Sequence, residues 1–381
     1  MRILHVIPGD NFTEGMTYQD NFLSDINSKD GHEVLILSSC KTWKDSKIEY
    51  ISPCDIIMDN GVRLVRRTYK KVLNNYLTKK IRILEGAYEI IEDFKPDVIR
   101  VLNPHNFTLP IVVRYKKNNP NVKLYVDSHQ HYFNSGVGFV SYWVFHKLLV
   151  RNMFRKQINY IDKVLCSEEG VKIYLKEMYG ISEEKMELYP LGGIIVEKSE
   201  RDNIRKSIRK ELNISDDDVM MVHSGKMSEA KRTREILEAL SRVKSNSIKL
   251  VIVGSIPEEM KPILYPLIEN DKRVKYLGWK SGEELFDYIC AGDIYLQPGS
   301  ASVTFKQALC SGSAIVVAPD IKGYDIYMKK TGWYGMTVDD LTSIFEEIEA
   351  NPEILVEMGE NALSIAKELL DYKVLAARLY K

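Results

Sequence analysis

At 381 residues the chain is too long for one ordinary hydrophobic core and fits two domains of common size. Hydrophobic residues make up 45% and charged residues 28%, which excludes a disordered chain. Lys plus Arg and Asp plus Glu number 53 each, and this zero net charge argues against a dedicated nucleic-acid binder.

In chain order, short apolar runs alternate with longer amphipathic stretches. Arg2–Pro8, His32–Ser39, Asp97–Asn103, Val122–Ser128 and Lys163–Glu168 read as strands of a first half. Met220–Gly225, Lys249–Ser255, Val274–Trp279, Ile294–Gly299 and Ala314–Pro319 read as strands of a second. Most are rich in Val, Ile and Leu without polar alternation, as in parallel strands covered by helices on both faces. Helical patterns such as Thr233–Val243 and Leu341–Glu349 lie between them. The fold class predicted is α/β, with two doubly wound, Rossmann-like domains. The break falls at Tyr189-Pro190-Leu191-Gly192-Gly193, read as an interdomain hinge with an ordinary tight turn as the alternative. A first domain over 1–190 and a second from 191 follow.

The longest mostly apolar stretch, Phe139 to Val150, carries His146 and Lys147 and falls short of the ~20 residues a bilayer span needs. Met1–Pro8 holds no apolar signal region. The five cysteines are odd in number and widely spaced, with neither metal-site nor redox spacing. The expectation is a reduced, cytoplasmic protein with no cofactor and no metal site.

Ligands of doubly wound sheets bind outside the carboxyl ends of the strands, so two such sheets predict a site in the cleft they face. The first strand runs into Gly9–Gly15 without Gly-x-Gly-x-x-Gly spacing, which disfavours a dinucleotide enzyme; Asn11, Thr13, Glu14 and Gly15 form either an acceptor-side loop or a plain turn. Val122–Ser128 ends in Asp127-Ser128-His129-Gln130-His131. An acid with two imidazoles there suits proton transfer or orientation of a hydroxyl; zinc and a structural role are the alternatives. In the second half Gly225 and Lys226, with Lys231 following, could grip a diphosphate, the lysines acting as point charges, although a lone lysine near a turn is often only solvated. The run Gly299-Ser300-Ala301-Ser302-Val303-Thr304, ending near Gln307, is a small-residue loop entering a helix. Its N–H groups and hydroxyls can approach an anion closely, with a Ser N-cap as the alternative.

These residues resemble a glycosyltransferase of the GT-B fold, most similar to glycosyltransferase family four. The opening Arg-Ile-Leu-His-Val-Ile-Pro with Gly31-His32-Glu33-Val34 resembles the family's first strand, helix and second strand. Gly225-Lys226 with Lys231 resembles its Gly-Arg…Lys pair, and Leu277-Gly278-Trp279, Glu283-Glu284-Leu285 and Ala291-Gly292-Asp293-Ile294 match its run before the donor loop. The tail around Met358-Gly359-Glu360-Asn361-Ala362 resembles its C-terminal helices. The resemblance implies that a second domain over 191–364 binds the donor, while a last helix at about 365–381 crosses back to the acceptor-binding first domain. It further implies a nucleotide-sugar donor, a glycan or lipid-linked acceptor in surface polysaccharide or glycolipid synthesis, and metal-independent, retaining transfer of hexosyltransferase type. Donor diphosphate contacts fall on Gly225, Lys226, Lys231, Ala301, Ser302, Val303 and Thr304, and ribose or sugar contacts on Gln307, Ser300 and Gly299. His129 matches the family's catalytic-region histidine, with Asp127 and His131 beside it. The family's two glutamates fall on Gly299 and Gln307 here, so a catalytically silent accessory protein is one alternative function and a nucleotide-sugar epimerase is another.

Two stretches suggest a membrane-facing surface. Val62–Arg82 contains Arg63, Arg66, Arg67, Lys70, Lys71, Lys79, Lys80 and Arg82 and no acid. Val65, Tyr69, Val72, Leu73, Tyr76 and Ile81 fall on one side of a helix there. Tyr142–Lys163 adds Trp143, Phe145 and Phe154. Together 62–82 and 142–163 predict peripheral contact with anionic lipid, with a core-facing helix and a solvated basic back as the alternative.

Overall fold

The computed structural model describes residues 1–44, 47–132, 134–300, 302–321 and 323–381. The chain divides into two compact units, Met1–Pro190 with Tyr372–Lys381, and Leu191–Asp371.

The first unit contains strands β1 (Arg2–Ile7), β2 (Glu33–Ser39), β3 (Lys41–Lys44), β4 (Lys47–Tyr50), β5 (Cys54–Ile57), β6 (Arg63–Arg67), β7 (Val98–Leu102), β8 (Lys123–Ser128), β9 (Lys163–Cys166) and β10 (Met186–Leu188). Eight of them form one sheet in the order β10-β9-β8-β7-β1-β2-β6-β5, parallel except where β5 runs against β6. β3 and β4 make a separate antiparallel pair. The central strands are buried along nearly their whole length, the price of helices on both faces being that almost every position must be apolar. The order steps from β1 outward to β2 on one side and to β7 on the other. The crevice beyond the carboxyl ends of β1 and β7 is therefore this sheet's switch point.

The second unit contains β11 (Val219–Ser224), β12 (Ile248–Val253), β13 (Val274–Tyr276), β14 (Ile294–Gln297), β15 (Ala314–Val317) and β16 (Gly332–Tyr334). All pair in parallel in the order β13-β12-β11-β14-β15-β16. Counted from β11 this is 3-2-1-4-5-6, the dinucleotide-fold order, with its switch point between β11 and β14. Apolar clusters pack on the two sides of the sheet, one around Val222, Val251, Tyr295 and Phe305, the other around Met221, Ile252, Leu296 and Phe345.

Two sequence expectations are corrected here. The stretch 62–82 is not one amphipathic helix. Val62, Leu64 and Val65 are fully buried because Arg63–Arg67 is strand β6, hydrogen-bonded between β2 and β5; only Asn75–Ile81 is helical. The return to the first unit also comes later than residue 365. The helix Ile354–Leu369 buries Met358, Ala362, Ile365 and Ala366 in the second unit, whereas Tyr372–Ala377 packs on the first. There Tyr372 stacks on Phe22 at 4.6 Å, Tyr189 donates a hydrogen bond to the Leu375 carbonyl at 2.7 Å, and Arg378 pairs with Glu187.

Candidate functional site

At the switch point of the second unit, β11 ends in Ser224 and the chain turns at Gly225, whose φ of +127° lies in the region that glycine adopts without strain. The absence of a side chain has a second use. Lys231 lies across Gly225, its Cε 3.1 Å from where a Cβ would stand. Burial lowers the Lys231 ammonium from its ordinary value, so this cation is partly stripped of water. Lys226 is exposed.

The loop after β14 locks onto the same turn. Ser300 N–H donates to the Ala230 carbonyl at 2.7 Å, and a side chain on Gly299 would collide with the Ala230 carbonyl. Gly299 is thus demanded by the close approach of two loops, and the position has no room for the glutamate expected there by resemblance. A hydroxyl chain joins the two strand ends. Tyr295 donates to Thr304 Oγ1 at 2.7 Å and so accepts from Ser224 Oγ, also at 2.7 Å. Thr304 Oγ1 is 2.7 Å from Ser302 Oγ. Thr304 Oγ1 can accept twice, so either hydroxyl of the Ser302–Thr304 pair can be the donor, and one O–H of the chain can turn to an incoming anion. The helix Thr304–Cys310 that follows has seven residues, so Lys231 is the main positive charge. Val303 is exposed at its start. Ala301 lies outside the described residues. Gln307 is engaged at both ends of its amide: Nε2 donates to the Ile194 carbonyl and Oε1 accepts from the Ile194 N–H, each at 2.9 Å. A ribose contact from Gln307 would have to displace Ile194.

In the first unit the end of β8 places Asp127 in a charged cluster. Asp127 and Arg100 are both buried; Arg100 Nε donates to Asp127 Oδ2 at 2.9 Å, and its Nη1 donates to Asp20 Oδ1 at 2.7 Å. His129 Nε2 sits 3.3 Å from Asp127 Oδ1, the separation of an ion pair rather than of a well-aligned hydrogen bond. Burial alone would raise the Asp127 carboxyl, but Arg100 and His129 outweigh it and hold it down to about 2. Burial likewise opposes charge on His129, and the Asp127 carboxylate outweighs it, raising the imidazole above its ordinary 6.5. His129 is also fixed through its backbone, the N–H donating to Asn103 Oδ1 at 3.1 Å. The structure thus joins Asp127 to His129. His131 turns away and packs against Gly170, where burial lowers its imidazole below 6.5.

The loop after β1 is built largely from its own contacts. Thr13 Oγ1 donates to the Asn11 carbonyl at 3.2 Å and accepts from the Trp43 N–H at 2.9 Å. Glu14 pairs at 2.6 Å with Arg66, a buried side chain that also donates to the Phe12 and Ser39 carbonyls. Gly15 takes φ of +74°. Sequence reasoning missed Arg100, Asp20 and Tyr295. A lone arginine inside the apolar run Val98–Leu102 was the one available signal, since an unpaired buried charge is too costly to keep. Among the described residues no group of three or more His, Cys, Asp or Glu side chains could hold a metal ion, and no helix is long and apolar enough to cross a membrane.

Two family models match the chain, Glycosyltransferase Family 4 over residues 28–192 and Glycosyl transferases group 1 over 204–364. No curated protein matched it. Similar solved structures include HepE from Anabaena in complex with UDP, at 14% identity with 99% of this chain and 98% of that chain covered and a TM-score of 0.64. A glycosyltransferase from Rickettsia africae gives 12%, 99%, 96% and 0.68 in the same order. WaaG, a glycosyltransferase involved in lipopolysaccharide biosynthesis, gives 13%, 99%, 98% and 0.61. These likenesses are those of the GT-B fold, and with both family models covering most of the sequence, the chain belongs to the family-four type of GT-B glycosyltransferases.

Proposed function

We propose that this glycosyltransferase moves a sugar from a nucleotide-diphosphate donor held by the second unit to a glycan or lipid-linked acceptor held by the first, in surface polysaccharide or glycolipid synthesis, with retention and without a metal ion. The observation that carries the reading is the partly desolvated Lys231 laid across Gly225, on a turn to which the loop after β14 is hydrogen-bonded through Ser300. Transfer builds negative charge on the departing diphosphate, and a fixed cation with fixed donors stabilises that charge without reorganising. HepE, which has been solved with UDP and with UDP-glucose, and WaaG lend the donor and pathway classes their support. His129, whose charged form Asp127 favours against burial, is a second group at the end of β8 that can carry positive charge. The test is release of nucleoside diphosphate from a panel of nucleotide sugars in the presence of EDTA. The expected result is turnover that EDTA leaves unchanged and that Lys231→Ala lowers by about 10²–10³-fold; abolition by EDTA would overturn metal independence.

For a lipid-linked acceptor we propose a membrane-facing patch on the first unit. Leu73 is 95% exposed and Phe139 76%, with Tyr76, Val140, Trp143 and Leu148 also exposed. Lys80 Nζ lies over the Tyr76 and Phe145 rings at 5.8 and 6.0 Å, so residues 73–80 and the helical segment Val140–Val150 are neighbours, each exposing apolar side chains. Arg63 and Arg66 do not contribute, being paired with Asp55 and Glu14. Apolar groups ringed by lysines suit an anionic interface. The chain should sediment with phosphatidylglycerol vesicles and less well in high salt or as Trp143→Ser; equal sedimentation of wild type and variant would contradict the patch.

A further inference from the structure

The switch point of the first sheet holds a group of cations that neither the Asp127–His129 pair nor the donor loops explain. β1 leads into Pro8, whose carbonyl accepts from Tyr69 Oη, and the next residue, Gly9, lies against the Arg82 guanidinium so closely that a Cβ there would collide with Nη1. Arg82 holds a left-handed backbone, φ +57°, unusual for a side chain of its size, at the end of the helix Asn75–Ile81. Its Nη1 donates to His105 Nε2 at 2.7 Å and its Nε to the Lys79 carbonyl at 3.2 Å, while Nη2 donates to no protein atom among the described residues. His105, on the loop after β7, is kept neutral by burial and by Arg82 itself, so it positions the guanidinium without neutralising it. Lys41, at the start of β3, is half-buried and makes no ion pair among the described residues; burial and then the charges of Arg82 and Lys79 lower its ammonium, against Asp10 alone. Asp10 is meanwhile held by Asn103 Nδ2 at 2.9 Å.

Among the described residues, an arginine whose Nη2 is unengaged, packed on a side-chain-free glycine, and a half-buried lysine without an ion pair that feels the arginine's charge thus lie on the loops where a doubly wound sheet binds its ligand. From this geometry we propose that Gly9, Lys41 and Arg82 form a binding site for a phosphate or diphosphate ester carried by the acceptor. The site rests on the acceptor-binding role given to the first unit and deepens it by naming the group recognised. Arg82 offers its unengaged Nη2 to a phosphate oxygen, Lys41 a point charge, and the bare Gly9 lets the guanidinium pack against the end of the strand.

The experiment is calorimetric titration of the full chain with inorganic pyrophosphate in a Lys231→Ala background, which removes the donor-side cation. The Lys231→Ala chain is expected to bind pyrophosphate, and adding Arg82→Gln to weaken binding by about ten-fold or more, as loss of a charged hydrogen bond does. Gly9→Ala, which presses a methyl group against the guanidinium, approaches the same site by a different route should Arg82→Gln fold poorly. Titration with dodecyl phosphate micelles and with glucose 1-phosphate separates the sources. Binding of both assigns recognition to the phosphate itself, and binding of the micellar ester alone assigns it to a lipid-borne phosphate. Absence of pyrophosphate binding in the Lys231→Ala chain, or an unchanged titration in both Arg82→Gln and Gly9→Ala, would overturn the proposal. Nucleoside-diphosphate binding by the wild type is read separately, so failure of the donor reading would leave pyrophosphate binding intact, and failure of this site would leave nucleotide binding intact.

Discussion

A lysine lying over a glycine and a histidine pinned by a buried carboxylate are charged in opposite circumstances. Lys231 loses water and gains nothing in exchange from a neighbouring acid, so burial lowers its proton affinity and an incoming anion restores what burial removed. His129 already has its counter-charge: Asp127 raises its imidazole above 6.5, while Asp127 itself stays ionised down to about 2. The sign of the pH dependence follows. A raised imidazole contributes its ion-pair stability fully below about 6.5 and loses it as pH rises through the higher folded value. If turnover uses the imidazolium, kcat falls on the alkaline side of that value, and no limb between pH 3 and 6 comes from Asp127. The expected result for His129→Ala is lower kcat with the alkaline limb gone. An unchanged limb in the variant would assign it to another group.

At the scale of the element, Arg100 on β7 ties together the ends of β8 and of the helix Gln19–Lys29 through Asp127 and Asp20. Arg66 does the same for the loops after β1 and β2. Removing Arg100 strands two carboxylates, one of them fully buried, a loss of about 3–5 kcal/mol. For a unit of this size each kcal/mol is worth about 2–4 °C, so Arg100→Met should lower the first unit's melting temperature by about 6–20 °C in a thermal unfolding scan. A shift below about 2 °C would mean that the cluster is solvated and carries little. These ties explain what sequence could and could not show. Strands such as Met220–Gly225 and Val122–Ser128 stood out because burial on both faces demands an unbroken apolar run. β4 and β5 are largely exposed and carry acids and lysines, so no run marks them, and β10 and β16 have three residues each. Arg100 was opaque because Asp20 lies 80 positions away, and Gly299 because its constraint is the backbone of Ala230.

For the molecule as a whole, each unit is built on a doubly wound sheet, and charged and small residues gather at strand ends such as those of β8, β11 and β14. What changed is the work assigned to individual residues. Gln307 clamps Ile194, Glu14 braces Arg66, and His131 packs on Gly170. Positive charge is concentrated instead in Lys231 of the second unit and in Arg82 with Lys41 of the first. The proposed division of labour, donor diphosphate on one unit and acceptor on the other, rests on the first of these. Its most direct test is a thermal-shift series of wild type and Lys231→Ala with UDP, GDP, ADP, CDP and dTDP. A ligand at ~100 times its dissociation constant adds about 2.7 kcal/mol of stability, or about 5–10 °C for a unit of this size. One nucleoside diphosphate should raise the wild-type transition by that amount and leave Lys231→Ala unmoved. No shift with any of the five, or an equal shift in the variant, would contradict a donor site built on Lys231.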